Sequence, residues 1–507
     1  SPADLDTIAS VSRRLDGIPL AIELAACRTT AMTITDLAEH LGDRFRLLRG
    51  GRRGVERHQT LGAVVGWSYE LLDRSEQALF NQLSVFAGGF DLTAIEAVCA
   101  KEDSPIDLIG RLVDKSLVVA DRQRRHVRYR VLETLRQYGE ERLDPGQLTS
   151  LHDRHLAYYQ QIGQQADTLA RGSGWSEALH LFREEWNNLR AAHSWAVACG
   201  DLDAATDLIG STTTFALVTH RIEHDEWTSN TIALARDLNQ PVPTVVAGAG
   251  SYWLHHHFRH TEAHALARIG IDNAPTPTHR STMYCWQARC RPGANDDLKA
   301  AFRSYERAVS APRDEIFKAL VGFLYTTFVS TETTEYGVAL AQQASNAVDS
   351  PLARCWHLAA SGRAAYEQRD YDSAMALTRE AGELSRSTGH PGMETICNGN
   401  IALILATRGG PIDRAIYEPA LIANHRHRTH VETVLGRLAI HLTACDQLEA
   451  AGVLAGYVQS TGAIVRGGQL LPDLPETPLV DKSKAKGADL DLDQAVAYAL
   501  AVLARFD

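Results

Sequence analysis

The sequence predicts a mainly α-helical protein built from several domains, and three observations carry that prediction. Apolar residues recur at helical spacing along most of the chain. β-Prone residues cluster in two short runs, 117–120 and 127–131, on either side of a polar turn. From about residue 148 onward, small residues return as Ala263, Ala301, Ala339 and Ala374, at spacings of 38, 38 and 35 residues. At 507 residues the chain is too long for one core, so about two to four domains are expected.

Residues 1–50 read as helices. Leu5, Ile8, Val11 and Leu15 lie near helical spacing, the Gly17-Ile18-Pro19 turn interrupts them, and Ile22 to Ala26 continue. Glycine gives that turn a permissive backbone, and proline suits the first turn of the following helix. The basic run Gly50-Gly51-Arg52-Arg53-Gly54 reads as a linker, which sets off residues 1–54.

Residues 55–147 change character. Leu61, Val64, Val65, Tyr69 and Leu72 fit one amphipathic helix. Ser75 is expected to cap the next, which carries Leu79, Phe80, Leu83 and Phe86 until Gly88-Gly89 stops it. Asp91 starts a third helix, Ile106 to Lys115 form a fourth, and a last helix runs from Glu133 to Arg142 after the two β-prone runs. Helices followed by a two-stranded hairpin describe a winged-helix-like module.

Residues 148–466 read as a helical-repeat solenoid, in which small residues let paired helices approach and stacked pairs share one core. Gly362, Tyr371, Ala374 and Ala381 mark its clearest unit. Residues 467–488 read as a loop before a closing helix, making 467–507 the last region.

Composition and motifs exclude several function classes. The net charge of −11 disfavours a general nucleic-acid-binding surface. No apolar run is long enough for a membrane span, and the first residues lack the pattern of a signal peptide. Eight scattered cysteines without a Cys-x-x-Cys pair fit reduced, mostly buried thiols of a cytoplasmic protein. Only Cys285 and Cys290 lie close, so no zinc site is expected. His256, His260 and His264 would line up on an unbroken helix, but the repeat register places a turn at 258–260 that splits them, and no metal is assigned. A Gly-x-x-x-x-Gly-Lys-Ser/Thr loop and hydrolase motifs are absent, so no catalytic residue is assigned and the chain alone is not expected to be an enzyme.

Several segments together resemble the STAND-type (NB-ARC-like) bacterial transcriptional regulators of the LuxR-associated kind. Gly17-Ile18-Pro19-Leu20-Ala21 is similar to the segment that follows their P-loop core. Gly66-Trp67-Ser68-Tyr69-Glu70-Leu71-Leu72, Leu83-Ser84-Val85-Phe86-Ala87-Gly88-Gly89-Phe90, Leu112-Val113-Asp114-Lys115-Ser116-Leu117-Val118 and Tyr129-Arg130-Val131-Leu132-Glu133-Thr134-Leu135-Arg136-Gln137-Tyr138 resemble four winged-helix signatures in their family order. Glu184-Glu185-Trp186-Asn187-Asn188-Leu189-Arg190 looks like the opening of the family's repeat region, and the repeats resemble tetratricopeptide units. Residues 489–503 resemble its closing helix.

The resemblance implies that residues 1–54 are the helical tail of an ATPase module, and that the chain starts where that module ends. It further implies that Gly17 and Pro19 line the adenine side of a nucleotide site completed by a P-loop domain. ATP or ADP then belongs to the full-length parent and no cofactor to this chain alone. The implied function is a sensor that binds an effector or protein partner through its repeats and couples it to an ATPase domain, its own or a separate one. Two other readings stand beside it: a stand-alone peptide-binding scaffold, and a DNA-binding protein acting through the winged helix. For the latter, the basic run 122–128 supplies Arg124, Arg125 and Arg128 as backbone-contacting residues. A helix over 91–100, read as its recognition helix, carries Asp91 and Glu96 without a cation and would repel phosphates.

Overall fold

A computed structural model describes residues 68–99, 104–122, 127–219, 221–257, 259–275, 334–408, 410–427, 431–461 and 473–506, with scattered positions before residue 67 and at Leu320. The chain falls into two compact units, Ser1–Ile162 with Arg183–Ala196, and Gly163–Phe182 with Val197–Asp507. It is mainly α-helical, with a winged-helix region, one small hairpin and helical repeats.

In the first unit, α1 spans Arg74–Gln82, α2 Leu92–Val98 and α3 Pro105–Asp114. Strands β1 (Val119–Asp121) and β2 (Arg128–Arg130) pair antiparallel, with Val119 opposite Arg130 and Asp121 opposite Arg128. Phe90 adds an isolated antiparallel bridge to Tyr129, its N–H and C=O bonded at 2.9 and 2.7 Å. Helix α4 (Glu133–Glu140) follows. Two longer helices, α5 (Pro145–Ala170) and α6 (Trp175–Ala198), contribute residues up to 162 and residues 183–196 to this unit. The sequence boundary at 147 falls just inside α5.

Three details differ from the sequence expectation. The cap of α1 is Asp73, not Ser75. Asp73 accepts the Glu76 N–H at 2.8 Å while the Glu76 carboxylate accepts the Asp73 N–H at 2.9 Å, a reciprocal capping box that leaves Ser75 inside the helix. The helix gives way to a 3-10 turn, Leu83–Val85, before it reaches Gly88-Gly89. And α2, expected over 91–100, ends at Val98, with Cys99 as its C-cap.

The core of this unit gathers Leu79, Phe80, Leu83, Phe86, Phe90, Ile95, Val98, Ile109, Leu112 and Leu135. Phe86 stacks on Phe90 with ring centroids 4.5 Å apart and meets Tyr159 edge-on. Leu79, Phe80, Ile95, Val98, Ile109, Leu112 and Leu135 sit on the apolar stripes of their helices, whereas Leu83 comes from the 3-10 turn and Phe86 and Phe90 from the segment that follows it.

The second unit continues with α7 (Leu202–Thr219), α8 (Glu223–Asp237), α9 (Thr244–His256), α10 (His260–Asp272), α11 (Thr334–Ala347), α12 (Pro351–Glu367), α13 (Tyr371–Ser387), α14 (Pro391–Thr407), α15 (Arg414–His427), α16 (Val431–Ala444), α17 (Leu448–Ser460), α18 (Pro478–Ala488) and α19 (Leu492–Leu503). Asn239, Arg369 and Asp446 adopt positive φ just after α8, α12 and α16. Each is followed by an N–H that reaches back to a helix carbonyl, as from Asp370 to Ala365 at 2.9 Å, which ends the helix and turns the chain.

Small buried residues recur at i, i+4 and i+7: Ala263, Ala267 and Gly270; Ala374, Thr378 and Ala381; Ala451, Ala455 and Val458. On α11 the same positions are Gly337, Ala341 and Ala344, while Ala339 is exposed, so the repeat there is counted from Gly337. Ala301 lies outside the described residues. Residues 478–488, expected as loop, form α18: Thr477 caps it and Pro478 occupies the first turn, where proline is tolerated.

Candidate functional site

The winged-helix region is organised by two charge clusters that draw on distant parts of the first unit. In the first, Glu76 is buried at 1% exposure beneath α1. Lys115, at the end of α3, reaches it with Nζ 2.5 Å from Oε2, and Arg111 of α3 lies 3.4 Å from Oε1. One carboxylate therefore completes the cap of α1 and holds the C-terminal end of α3, where cations also favour the helix dipole.

The second cluster ties wing, glycine loop and α6 together. Arg128 of β2 pairs through Nη1 with the Glu185 carboxylate and donates through Nη2 to the Gly89 carbonyl at 2.7 Å. Asn188, fully buried, accepts the Gly88 N–H at 3.0 Å and donates through Nδ2 to the Gly89 carbonyl and to Glu185, each at 2.9 Å. The Arg128 and Glu185 side chains are only 12% and 6% exposed. Burial opposes the guanidinium's charge, yet the bonded Glu185 carboxylate, with Glu184 nearby, raises its pKa above the ordinary value.

His155 of α5 packs close by, 4.4 Å from the Tyr159 ring and 5.7 Å from Phe86. Burial pushes its pKa down to about 3, with the His152 charge in the same direction, so the ring is neutral at physiological pH. His193 of α6 is likewise held neutral by burial, at about 4.

The exposed face of α3 is small and acidic. Ile106, Asp107, Gly110, Arg111 and Asp114 line it, and its one cation, Arg111, faces Asp73 and Glu76. That face offers little to a phosphate backbone.

Of the residues singled out from the sequence, Gly17, Pro19, Arg124 and Arg125 lie outside the described residues. Arg128 is described, and its guanidinium is committed to Glu185 and Gly89. Glu185 and Asn188 were legible only as part of a motif; a separation of 57 positions between Arg128 and Glu185 gives no hint of their contact. The histidine stretch is split as expected: α9 ends at His256, α10 begins at His260, and the His255 and His260 Nδ1 atoms lie 3.1 Å apart across the turn. Among the described residues no group of His, Cys, Asp and Glu could hold a metal, and no helix is long and apolar enough to cross a membrane.

Comparison with known proteins gives a consistent picture for part of the chain. Residues 72–144 match the winged helix-turn-helix domain family. Over 209 residues the chain is 44% identical to a protein of Mycobacterium tuberculosis provisionally named an HTH-type transcriptional regulator, a match covering 40% of this chain and 24% of the relative. Over 175 residues it is 43% identical to an uncharacterized protein of the same species, covering 33% of this chain and 44% of that one. The chain thus spans less than half the length of these curated relatives. Among solved structures, a signal transduction ATPase with numerous domains (STAND) protein with a tetratricopeptide repeat sensor from Pyrococcus horikoshii aligns over 96% of this chain and 72% of its own, with a TM-score of 0.48 and 14% identity.

Proposed function

We propose that the chain is the regulatory portion of a STAND-type, LuxR-associated transcriptional regulator acting in the cytoplasm. Its tetratricopeptide-like repeats bind an effector or protein partner, and its winged-helix domain passes the result to a nucleotide-dependent switch. ATP or ADP is bound by the full-length parent, where Gly17 and Pro19 close the adenine side, and this chain alone performs no catalysis. The winged-helix match and the relatives named as regulators support the regulatory reading.

The observation that carries it is the cluster of Arg128, Glu185, Asn188 and the Gly88-Gly89 loop. A wing arginine bonded to the protein's own helix serves as a docking latch. Removing one buried partner leaves the others uncompensated, so the latch is costly to break one partner at a time. In the rival reading, Arg124 and Arg125 contact DNA directly; the acidic face of α3 disfavours it.

Transcript profiling tests the proposal. Cells expressing the chain with Glu185→Ala and Asn188→Ala together are compared with cells expressing the wild type. A defined set of promoters is expected to change, and identical profiles would overturn the regulatory role. A gel shift of the purified chain that is abolished by Arg124→Ala with Arg125→Ala would transfer the assignment to the DNA-binding reading.

A further inference from the structure

In a helical-repeat array each unit packs on its immediate neighbours. The second unit departs from that pattern. Helix α7 packs against α14, although α8 to α13 lie between them in the chain. The segment that enters the array is seated at the same place. Trp175, at the start of α6, donates its indole N–H to the Thr388 carbonyl at 2.8 Å, across 213 positions of sequence. Trp175, α7 and α14 all belong to the second unit.

Local chemistry builds both sides of this contact. Thr388 is the C-cap of α13. Gly389 follows with a φ of 68°, and the His390 N–H returns to the Ser385 carbonyl at 2.8 Å, so the chain turns sharply into α14. His390 then caps α14, its Nδ1 accepting the Met393 N–H at 3.2 Å. Carbonyls at a helix C-terminus lack partners inside the helix, and the indole supplies one from outside. On the other side, a Cβ on Gly174 would stand 3.0 Å from the Leu169 carbonyl oxygen, so glycine permits the tight turn that presents Trp175.

The Trp175 ring is fully buried and stacks on Phe215 of α7, with centroids 5.4 Å and planes 10° apart. Phe215 stacks in turn on Phe182 at 4.7 Å. Helix α7 is buried along two stripes, one through Ile209, Thr212 and Ala216, the other through Leu208 and Phe215. Thr212 bonds His224 of the next helix at 3.1 Å, so the first stripe serves the packing of successive helices. Phe215 places the second stripe against the entering segment.

The contact is made by a side chain against a helix end, and no helix draws its own backbone ladder from it. Withdrawing Trp175 gives the indole N–H and the Thr388 carbonyl to water, which satisfies both, and takes no helix apart. What holds it is the burial of one indole and its ring stack.

We propose that Trp175 is an intramolecular clasp. It holds α7 against α14 in a closed state of the array, and its withdrawal from the Thr388 turn uncovers the face of α14 that α7 occupies. The inference rests on reading the repeats as a partner-binding array, and it names what covers part of that array in the free chain. A partner that takes the uncovered face selects the open state.

Small-angle scattering and hydrogen–deuterium exchange of the purified chain test the clasp without any partner. Trp175→Ala is expected to enlarge the radius of gyration at unchanged helical circular dichroism. It should speed exchange over residues 385–394 about 100-fold, with α16 and α17 exchanging as in the wild type. Trp175→Phe keeps a ring on Phe215 but loses the N–H. It is expected to remain compact and to speed exchange over the same residues about 3- to 10-fold.

Unchanged size and exchange in Trp175→Ala overturn the clasp. Acceleration spread evenly over α16 and α17 overturns it too, because Trp175 then supports the fold as a whole. Should Trp175→Ala fail to fold, Trp175→Phe decides: acceleration confined to 385–394 supports the clasp, and an even change or none overturns it. The effect of the Glu185 and Asn188 substitutions on transcription judges the regulatory reading independently of either result.

Discussion

The winged-helix region and the end of the helical repeats are held together by opposite means. Around the wing, a few buried charges span long sequence distances: Glu76 with Lys115, and Arg128 with Glu185. Between α17 and α18 the contact is almost bare backbone. A Cβ on Gly452 would stand 2.8 Å from Ser483 Cβ, and one on Gly456 or Gly487 would collide with the backbone of Lys484 or Val453. Backbone contact between small residues has one good arrangement and no adjustable partner. A buried ion pair is held by two groups that each become costly alone, which suits a contact meant to be released. The difference sets a contact fixed by backbone shape in the repeats against one fixed by paired charges at the wing.

The largest expected effect tests the ionic side. Glu185→Ala strands Arg128 in a buried place and removes one acceptor of Asn188, so it should cost about 3–5 kcal/mol in the first unit. Replacing both partners, Arg128→Met with Glu185→Leu, should recover most of that loss, because no unpaired charge remains. Urea unfolding of the three variants measures both. A double variant as unstable as the single one would show that the pair supports the fold by packing instead of by charge.

Gly456→Ala tests the other side. Its methyl group meets backbone that cannot swing away, so the cost should approach about 3 kcal/mol, the upper part of the range for overpacking. Gly487→Ala should behave alike, and the pair should be far from additive because they share one interface. A loss under about 1 kcal/mol for either would mean that α18 can move away freely, and the contrast with the wing would fail.

Much of this architecture is legible in the amino-acid sequence. The start of α2 at Asp91, the helix after Pro105 and the two β-prone runs all follow from local chemistry. The cap of α1 was misplaced by two residues because Asp73 and Ser75 both suit a cap; the glutamate three residues after Asp73 was the deciding signal. The repeat at α11 was counted from Ala339 because alanine marks a small site, whereas glycine at 337 reads as a helix breaker. Helix α18 was hidden for the same reason: Gly487 lowers helix propensity but is required by its neighbour's backbone. Partners were the illegible part. Nothing in the spacing of Arg128, Gly89 and Glu185 encodes their contact, because long-range pairing is set by packing.

Protonation gives a gentler probe of the wing side. His155 and His193 have folded pKa values of about 3 and about 4, below the ordinary 6.5, so the unfolded chain binds more protons between those values. Stability is therefore full above about pH 6.5 and falls as the pH drops toward 4. At pH 5 each ring should cost about 2 kcal/mol relative to pH 7. His155→Phe keeps an aromatic ring against Phe86 and Tyr159, and it should remove roughly half of the loss. Urea midpoints at the two pH values, in wild type and variant, give the answer; an unaltered pH slope would show that His155 titrates normally.

The smallest effect has the opposite sign and isolates what distinguishes the glycines. Gly110 lies within α3, and among the described residues a Cβ there would meet nothing within 4 Å. Unlike Gly456, it serves no close approach among the described residues, so it carries only the entropic penalty of glycine in a helix. Gly110→Ala should therefore stabilise the first unit by about 0.5–1 kcal/mol, while Gly456→Ala destabilises the second. The same substitution with opposite signs in two helices separates a glycine fixed by packing from one that packing leaves free. Destabilisation by Gly110→Ala, read by thermal unfolding of the purified chain, would show that the α3 face is covered in solution and would move Gly110 into the company of Gly456 and Gly487.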